Sequence, residues 1–73
     1  MDELRNLFAR VLEVDVDIIN EESSPENLEN WDSLKFMQLV AEFESVFNMS
    51  LDITTIMGLK NFTDFKNLLD KSD

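Results

Sequence analysis

The stretch Asp32-Ser33-Leu34-Lys35-Phe36-Met37-Gln38-Leu39-Val40-Ala41-Glu42-Phe43-Glu44-Ser45-Val46-Phe47 decides how this chain is read. At about 100° per residue its apolar side chains fall into two arcs instead of one. Phe36, Leu39, Val40, Phe43, Val46 and Phe47 share one side and are expected to face a core. Leu34, Met37 and Ala41, spaced i, i+3 and i+7, lie opposite, beside Gln38, Glu44 and Ser45, and are expected to stay partly exposed. The spacing predicts a helix from about Ser33 to Phe47 with Asp32 or Ser33 as N-cap, because short oxygen-bearing side chains accept the orphan amides of a first turn. An apolar stripe that begins one residue after a serine, with carboxylates nearby, has the makeup of a docking surface.

On the N-terminal side, Leu4, Leu7, Phe8, Val11 and Leu12 recur with helical spacing behind Asp2 as N-cap, which predicts a first helix. From Val14 to Trp31 no helical period is sustained. Asn20, Ser23, Ser24, Pro25 and Asn30 mark a long connection, with Ile18, Ile19 and Leu28 expected to anchor it. Connections of this length are usually functional or cross a bundle. On the C-terminal side a short helical turn over Ile53 to Met57 should end near Gly58. Thr63 should then cap a last helix carrying Phe65, Leu68 and Leu69. The fold class is all-α: a small four-helix bundle of three main helices and one short one, forming a single domain over residues 1–73.

Seventy-three residues lie near the lower limit for folding without disulfides or metal, where only about 60% of the unfolded chain's surface is buried. Hydrophobic residues at 44%, with six phenylalanines and one tryptophan, supply the core, and one Gly and one Pro leave little material for hairpins or linkers. Trp31 is read as a core or loop anchor in preference to a partner contact. The chain has no cysteine, which excludes a disulfide framework and thiolate metal sites. It has no histidine either, so a serine here lacks the usual base, and a thiol, if one is needed, must come from outside the polypeptide. The residues therefore argue against an enzyme and for Ser33 as an attachment point.

Sixteen acids against six bases give a formal charge of −10. From Glu13 to Asp32 there are eight acids and no base. Such a field repels nucleic acid and anionic membranes and attracts basic surfaces. Asp15, Asp17 and Glu26 stand at three ligand positions of a calcium loop, but Ile19 and Asn20 occupy places that need a ligand and a glycine, so no metal site is assigned. The acidic start Met1-Asp2-Glu3 is unlike a signal peptide, and no apolar run approaches the roughly 18 residues of a membrane span; a cytoplasmic monomer is expected.

With Asp32-Ser33-Leu34 opening the second helix, and Met37-Gln38-Leu39-Val40-Ala41-Glu42-Phe43-Glu44 and Phe47 following, the sequence resembles the acyl carrier proteins, of the freestanding kind, over its whole length. The resemblance implies that a phosphopantetheinyl transferase attaches 4'-phosphopantetheine from coenzyme A to Ser33, with Asp32 supporting the motif. It implies a non-catalytic carrier of acyl thioesters that meets acyl-transferring or acyl-activating enzymes with basic docking patches. By the same resemblance Leu34, Met37, Ala41, Glu42 and Glu44 are docking positions, and Phe36, Val40, Ile56 and Leu59 line the acyl region. Aromatic bulk there suggests that long chains are poorly sheltered.

Asn30-Trp31, Lys35, Gln38 and Ser45 depart from the housekeeping pattern, the last three standing where acids are frequent. That points to a dedicated carrier for a specialised fatty-acid, polyketide or lipid- or saccharide-modifying pathway. Two alternatives stay open: an aminoacyl or peptidyl carrier, and an acidic adaptor without a prosthetic group in which Ser33 is only a helix cap.

Overall fold

The computed structural model describes residues 3–71, without the side chain of Lys71; the expected cap Asp2 lies outside this range. Four helices follow in order: α1 (Glu3–Leu12), α2 (Ser33–Val46), α3 (Ile53–Met57) and α4 (Phe62–Lys71), with one 3₁₀ turn at Val16–Ile18. The three long helices and the short turn of helix after α2 are those expected from the sequence. α1 buries Leu4, Leu7, Phe8, Val11 and Leu12, the full set that the helical period selects.

Both α1 and α2 end the same way. After α1, Glu13 turns left-handed at φ 61°, and the Val14 amide donates to the Ala9 carbonyl at 3.0 Å. After α2, Asn48 does so at φ 54°, and the Met49 amide donates to the Glu44 carbonyl at 3.0 Å. Each is a Schellman closure that satisfies a carbonyl the last turn leaves open. Asparagine tolerates this backbone well; glutamate is a poorer choice.

The long connection is strapped down by side chains. Arg5 donates to the carbonyls of Val16 and Ile19 at 2.9 and 3.0 Å. Buried Ser23 accepts the Asn20 amide through Oγ at 2.9 Å, and its carbonyl accepts the Phe62 amide at 2.9 Å. Asn30 donates to the Leu12 carbonyl at 2.8 Å, tying the end of α1 to the approach of α2. The 3₁₀ turn was not foreseen, and it corrects the anchor assignment: Ile19 is fully buried, but Ile18 closes the tight turn on the outside and is 48% exposed. Leu28 packs partly buried against the core, as expected.

Two further expectations are corrected. Thr63 does not cap α4; Asn61 does, its Oδ1 accepting the Asp64 amide at 2.9 Å, while the Thr63 hydroxyl donates to the distant Glu21 carbonyl at 2.7 Å. Asp64 in turn accepts the Lys60 amide at 2.7 Å, so its carboxylate ties the residue before the cap to the first turn of α4. Val46 is not a core residue. It lies at the edge of the α2 apolar arc, and Phe43 and Phe47, in ring contact at 5.0 Å, occupy the inner side of that last turn.

The interior is a set of interlocked rings. Phe8 meets Trp31, Phe62 and Phe65 edge to face at 5.3, 5.0 and 5.0 Å, and Phe65 also meets Phe43 at 5.6 Å and Phe36 at 6.3 Å. Such geometry matches the ring quadrupoles and fills space that aliphatic side chains would leave looser. Trp31, at 4% exposure, is the anchor that its position suggested.

Candidate functional site

Asp32 has an extended backbone, and its Oδ1 accepts the Lys35 amide at 2.9 Å. Its own carbonyl accepts the Phe36 amide at 2.8 Å, which completes the first turn of α2. Of the two cap residues the sequence allowed, Asp32 therefore does the capping. Ser33 becomes the first helical residue, exposed, with a hydroxyl that makes no hydrogen bond among the described residues. The hydroxyl thus stands at the positive end of the helix dipole, an environment that favours an attached anion.

Beside Ser33 lies an open cleft of ≈ 600 Å³ between the start of α2 and α3. Of the residues expected there, Phe36, Ile56 and Leu59 line it. Val40 does not: it is 4% exposed and belongs to the ring-filled core. Trp31, Met37, Met57 and Lys60 also line the cleft, and only Met37 among them had been assigned to this face of the molecule. Nothing local in the sequence marks Met57 or Lys60, because they reach the cleft through the tertiary arrangement of α3 and the loop after it.

The docking positions divide into two kinds. Leu34 and Met37 are 66% and 58% exposed, and Ala41 is exposed beside them. Glu42 and Glu44 are engaged within the chain: Glu42 pairs with Arg10 at 2.9 Å, and the Glu44 carboxylate accepts the Leu51 amide at 2.8 Å, holding the loop into α3. α3 adds Ile53 and Met57, 68% and 69% exposed, a contribution that five residues are too few to announce by period. Asp52 caps this short helix, and the Thr55 backbone amide holds its carboxyl below the usual range. Farther off, the hydrogen bond and charge of Lys66 hold the Glu21 carboxyl low and Glu21 holds the Lys66 ammonium high, their side chains meeting at 2.9 Å.

Among the described residues Ser33 has no hydrogen-bonded base, and the chain has neither histidine nor cysteine. Among the described residues no helix is long and apolar enough to cross a membrane.

Comparison with known proteins bears on this geometry. The family model described as phosphopantetheine attachment site matches residues 2–69. Among solved structures, the solution NMR structure of a holo acyl carrier protein from Geobacter metallireducens is similar, with 30% identity and a TM-score of 0.84, covering 96% of this chain and 80% of that one. No curated protein matches the sequence.

Proposed function

Since the chain belongs to the phosphopantetheine attachment family and is an acyl carrier protein, a non-catalytic carrier of a covalent phosphopantetheine, we propose that Ser33 is its attachment residue. The observation that carries this is the division of labour at the start of α2: Asp32 caps the helix, which leaves the Ser33 oxygen exposed and unbonded at the positive helix end. The residues fit the group. A primary hydroxyl is exposed at the N-terminus of α2, where the helix dipole favours a phosphodiester, and the cleft bounded by Trp31, Phe36, Met37 and Met57 would give an arm apolar walls. When bound, phosphopantetheine supplies the thiol on which acyl cargo is held as a thioester.

In loading, the Ser33 Oγ forms a bond to the phosphorus that bears the pantetheine of coenzyme A; the bond from that phosphorus to the adenosine 3',5'-bisphosphate breaks, and the serine proton passes to the transferase. Asp32 fixes the helix start, and with it the backbone from which the Ser33 hydroxyl is presented.

The carrier serves a narrow set of acyl-handling enzymes in a specialised pathway of the cytoplasm. Two features support this reading. Lys35, Gln38 and Ser45 stand where the resemblance leads one to expect acids, and the acids that α2 does carry, Glu42 and Glu44, are bound to Arg10 and the Leu51 amide. Docking then rests on Leu34, Met37 and Ala41, with the wider acidic field guiding encounter. The test is a side-by-side assay of the loaded protein and a housekeeping carrier with general fatty-acid ketosynthases and malonyl transferases. The housekeeping carrier should be used far more efficiently; equal use of the two would overturn the specialised role.

A further inference from the structure

With sixteen acids and six bases in the chain, a base without an acidic partner stands out. Of the cations whose side chains are described, Arg10 pairs with Glu42, Lys35 with Glu13 and Lys66 with Glu21, and Arg5 donates to two loop carbonyls. Lys60 differs: its ammonium meets no carboxylate or carbonyl among the described residues, and it lines the cleft that Ser33 opens into. The two acids nearest in the chain and the cleft are already committed to helix starts. Asp64 accepts the Lys60 backbone amide at 2.7 Å, and Asp32 accepts the Lys35 amide at 2.9 Å. A second cleft, of ≈ 550 Å³ between α1 and α4, offers no such group, because its cations are the engaged Arg5 and Lys66.

We propose that Lys60 is a cation site at the rim of the Ser33 cleft, holding an anionic oxygen that arrives with the arm. This rests on the assignment of Ser33 as the attachment residue. Two sources share the chemistry: the phosphodiester on Ser33, and a carboxylate at the far end of the cargo. The cleft walls include Trp31, Phe36, Met37, Ile56, Met57 and Leu59, with Asp32 and Ser33 at the start of α2, and Lys60 is its one cation among the described residues; an exposed ammonium there adds little to the binding of a neutral acyl chain and favours one that ends in a carboxylate. Lys60 would thus select among cargoes by their terminal charge.

The experiment uses the full chain loaded at Ser33, as confirmed by intact mass, in three forms: arm alone, hexanoyl, and its ω-carboxylate counterpart adipoyl. The readout is the ¹H–¹³C shift of the Lys60 ε-methylene, with those of Lys35 and Lys66 as internal controls. A Lys60-specific shift on arm attachment identifies the phosphodiester as the anion; a shift that appears only with adipoyl identifies the cargo carboxylate. In Lys60→Gln the corresponding shifts of the Met57 methyl and Leu59 amide should shrink, while the circular dichroism spectrum stays that of the parent. A loaded protein whose Lys60 is unmoved in all three forms, or moves equally for hexanoyl and adipoyl but not for the arm alone, overturns the site. A chain that takes no arm at Ser33 overturns both the site and the reading beneath it.

Discussion

The carboxylate of Asp32 accepts the backbone amide of Lys35 at 2.9 Å, and this one bond releases Ser33 from the structural work its position would otherwise demand. Stability and attachment are therefore separable by substitution. Ser33→Ala should change unfolding free energy by no more than about 0.5 kcal/mol, as for an uninvolved surface site. Asp32→Ala should cost about 1 kcal/mol, and Asp32→Asn much less, since asparagine caps nearly as well. Urea unfolding of the three variants checks the order; a larger loss in Ser33→Ala than in Asp32→Ala would contradict it.

Phe65 touches the rings of Phe8, Trp31, Phe36 and Phe43, so it joins α1, α2 and α4 through one side chain. Phe65→Ala should cost about 3–5 kcal/mol, a large share of the about 5–15 kcal/mol typical of a folded domain. Met57→Ala, at a 69% exposed position, should stay within about 0.5 kcal/mol. Thermal unfolding of both variants distinguishes a core that depends on its rings from one that does not.

The same rings bear on cargo. With the interior occupied, a long acyl chain loaded on the protein should perturb the cleft residues Phe36, Met37, Ile56 and Met57 and leave Phe8 and Phe43 nearly unmoved. Chemical-shift mapping after loading is the measurement. Shifts spread through Phe8, Phe43 and Phe65 would mean that the core opens to admit the chain.

Glu13 ends α1 at φ 61°, where a side chain is strained by about 1–2 kcal/mol and glycine is not. Glu13→Gly should stabilise the fold by a few tenths to about 1 kcal/mol, after the loss of unfolded-state restriction and of the long 3.4 Å contact with Lys35. Denaturant midpoints of the variant and parent test this; a lower midpoint would show that the Lys35 contact outweighs the strain.

The helices were legible because their apolar spacing is long enough to count: α1 buries the residues its period selects, and the two arcs of α2 separate Leu39 and Phe43 from Leu34 and Met37. The misses occurred where the deciding partner is distant in the chain. Asn61 and Thr63 are both good caps locally, and only the Glu21 carbonyl, brought alongside by the long connection, draws the Thr63 hydroxyl away. Ile18 and Ile19 are equally apolar, and the 3₁₀ turn alone decides which faces inward. That Asp32 and Ser33 open α2 could be read from sequence. Lys60 could not, because its place in the cleft is a product of tertiary packing.

The Glu21–Lys66 pair, which straps the connection to α4, should respond to pH at both ends of the scale. Glu21 titrates below the usual carboxylate range when folded, so its contribution is complete above the unfolded value and fades as pH falls through the folded one. Lys66 titrates above the usual ammonium range, so its contribution is complete below the unfolded value and fades as pH rises through the folded one. In Lys66→Met the Glu21 carboxyl should titrate at a higher pH than in the parent, as followed by the side-chain carboxyl ¹³C shift. An unchanged midpoint would show that the pair is not formed in solution.

The most direct test of the account is the intact mass of the purified chain after incubation with coenzyme A and a broad-specificity phosphopantetheinyl transferase, with peptide mapping of the product. The account predicts that the parent gains a single phosphopantetheine on Ser33 and that folded Ser33→Ala gains none. A parent chain that stays unmodified, or one modified at another side chain, would contradict it.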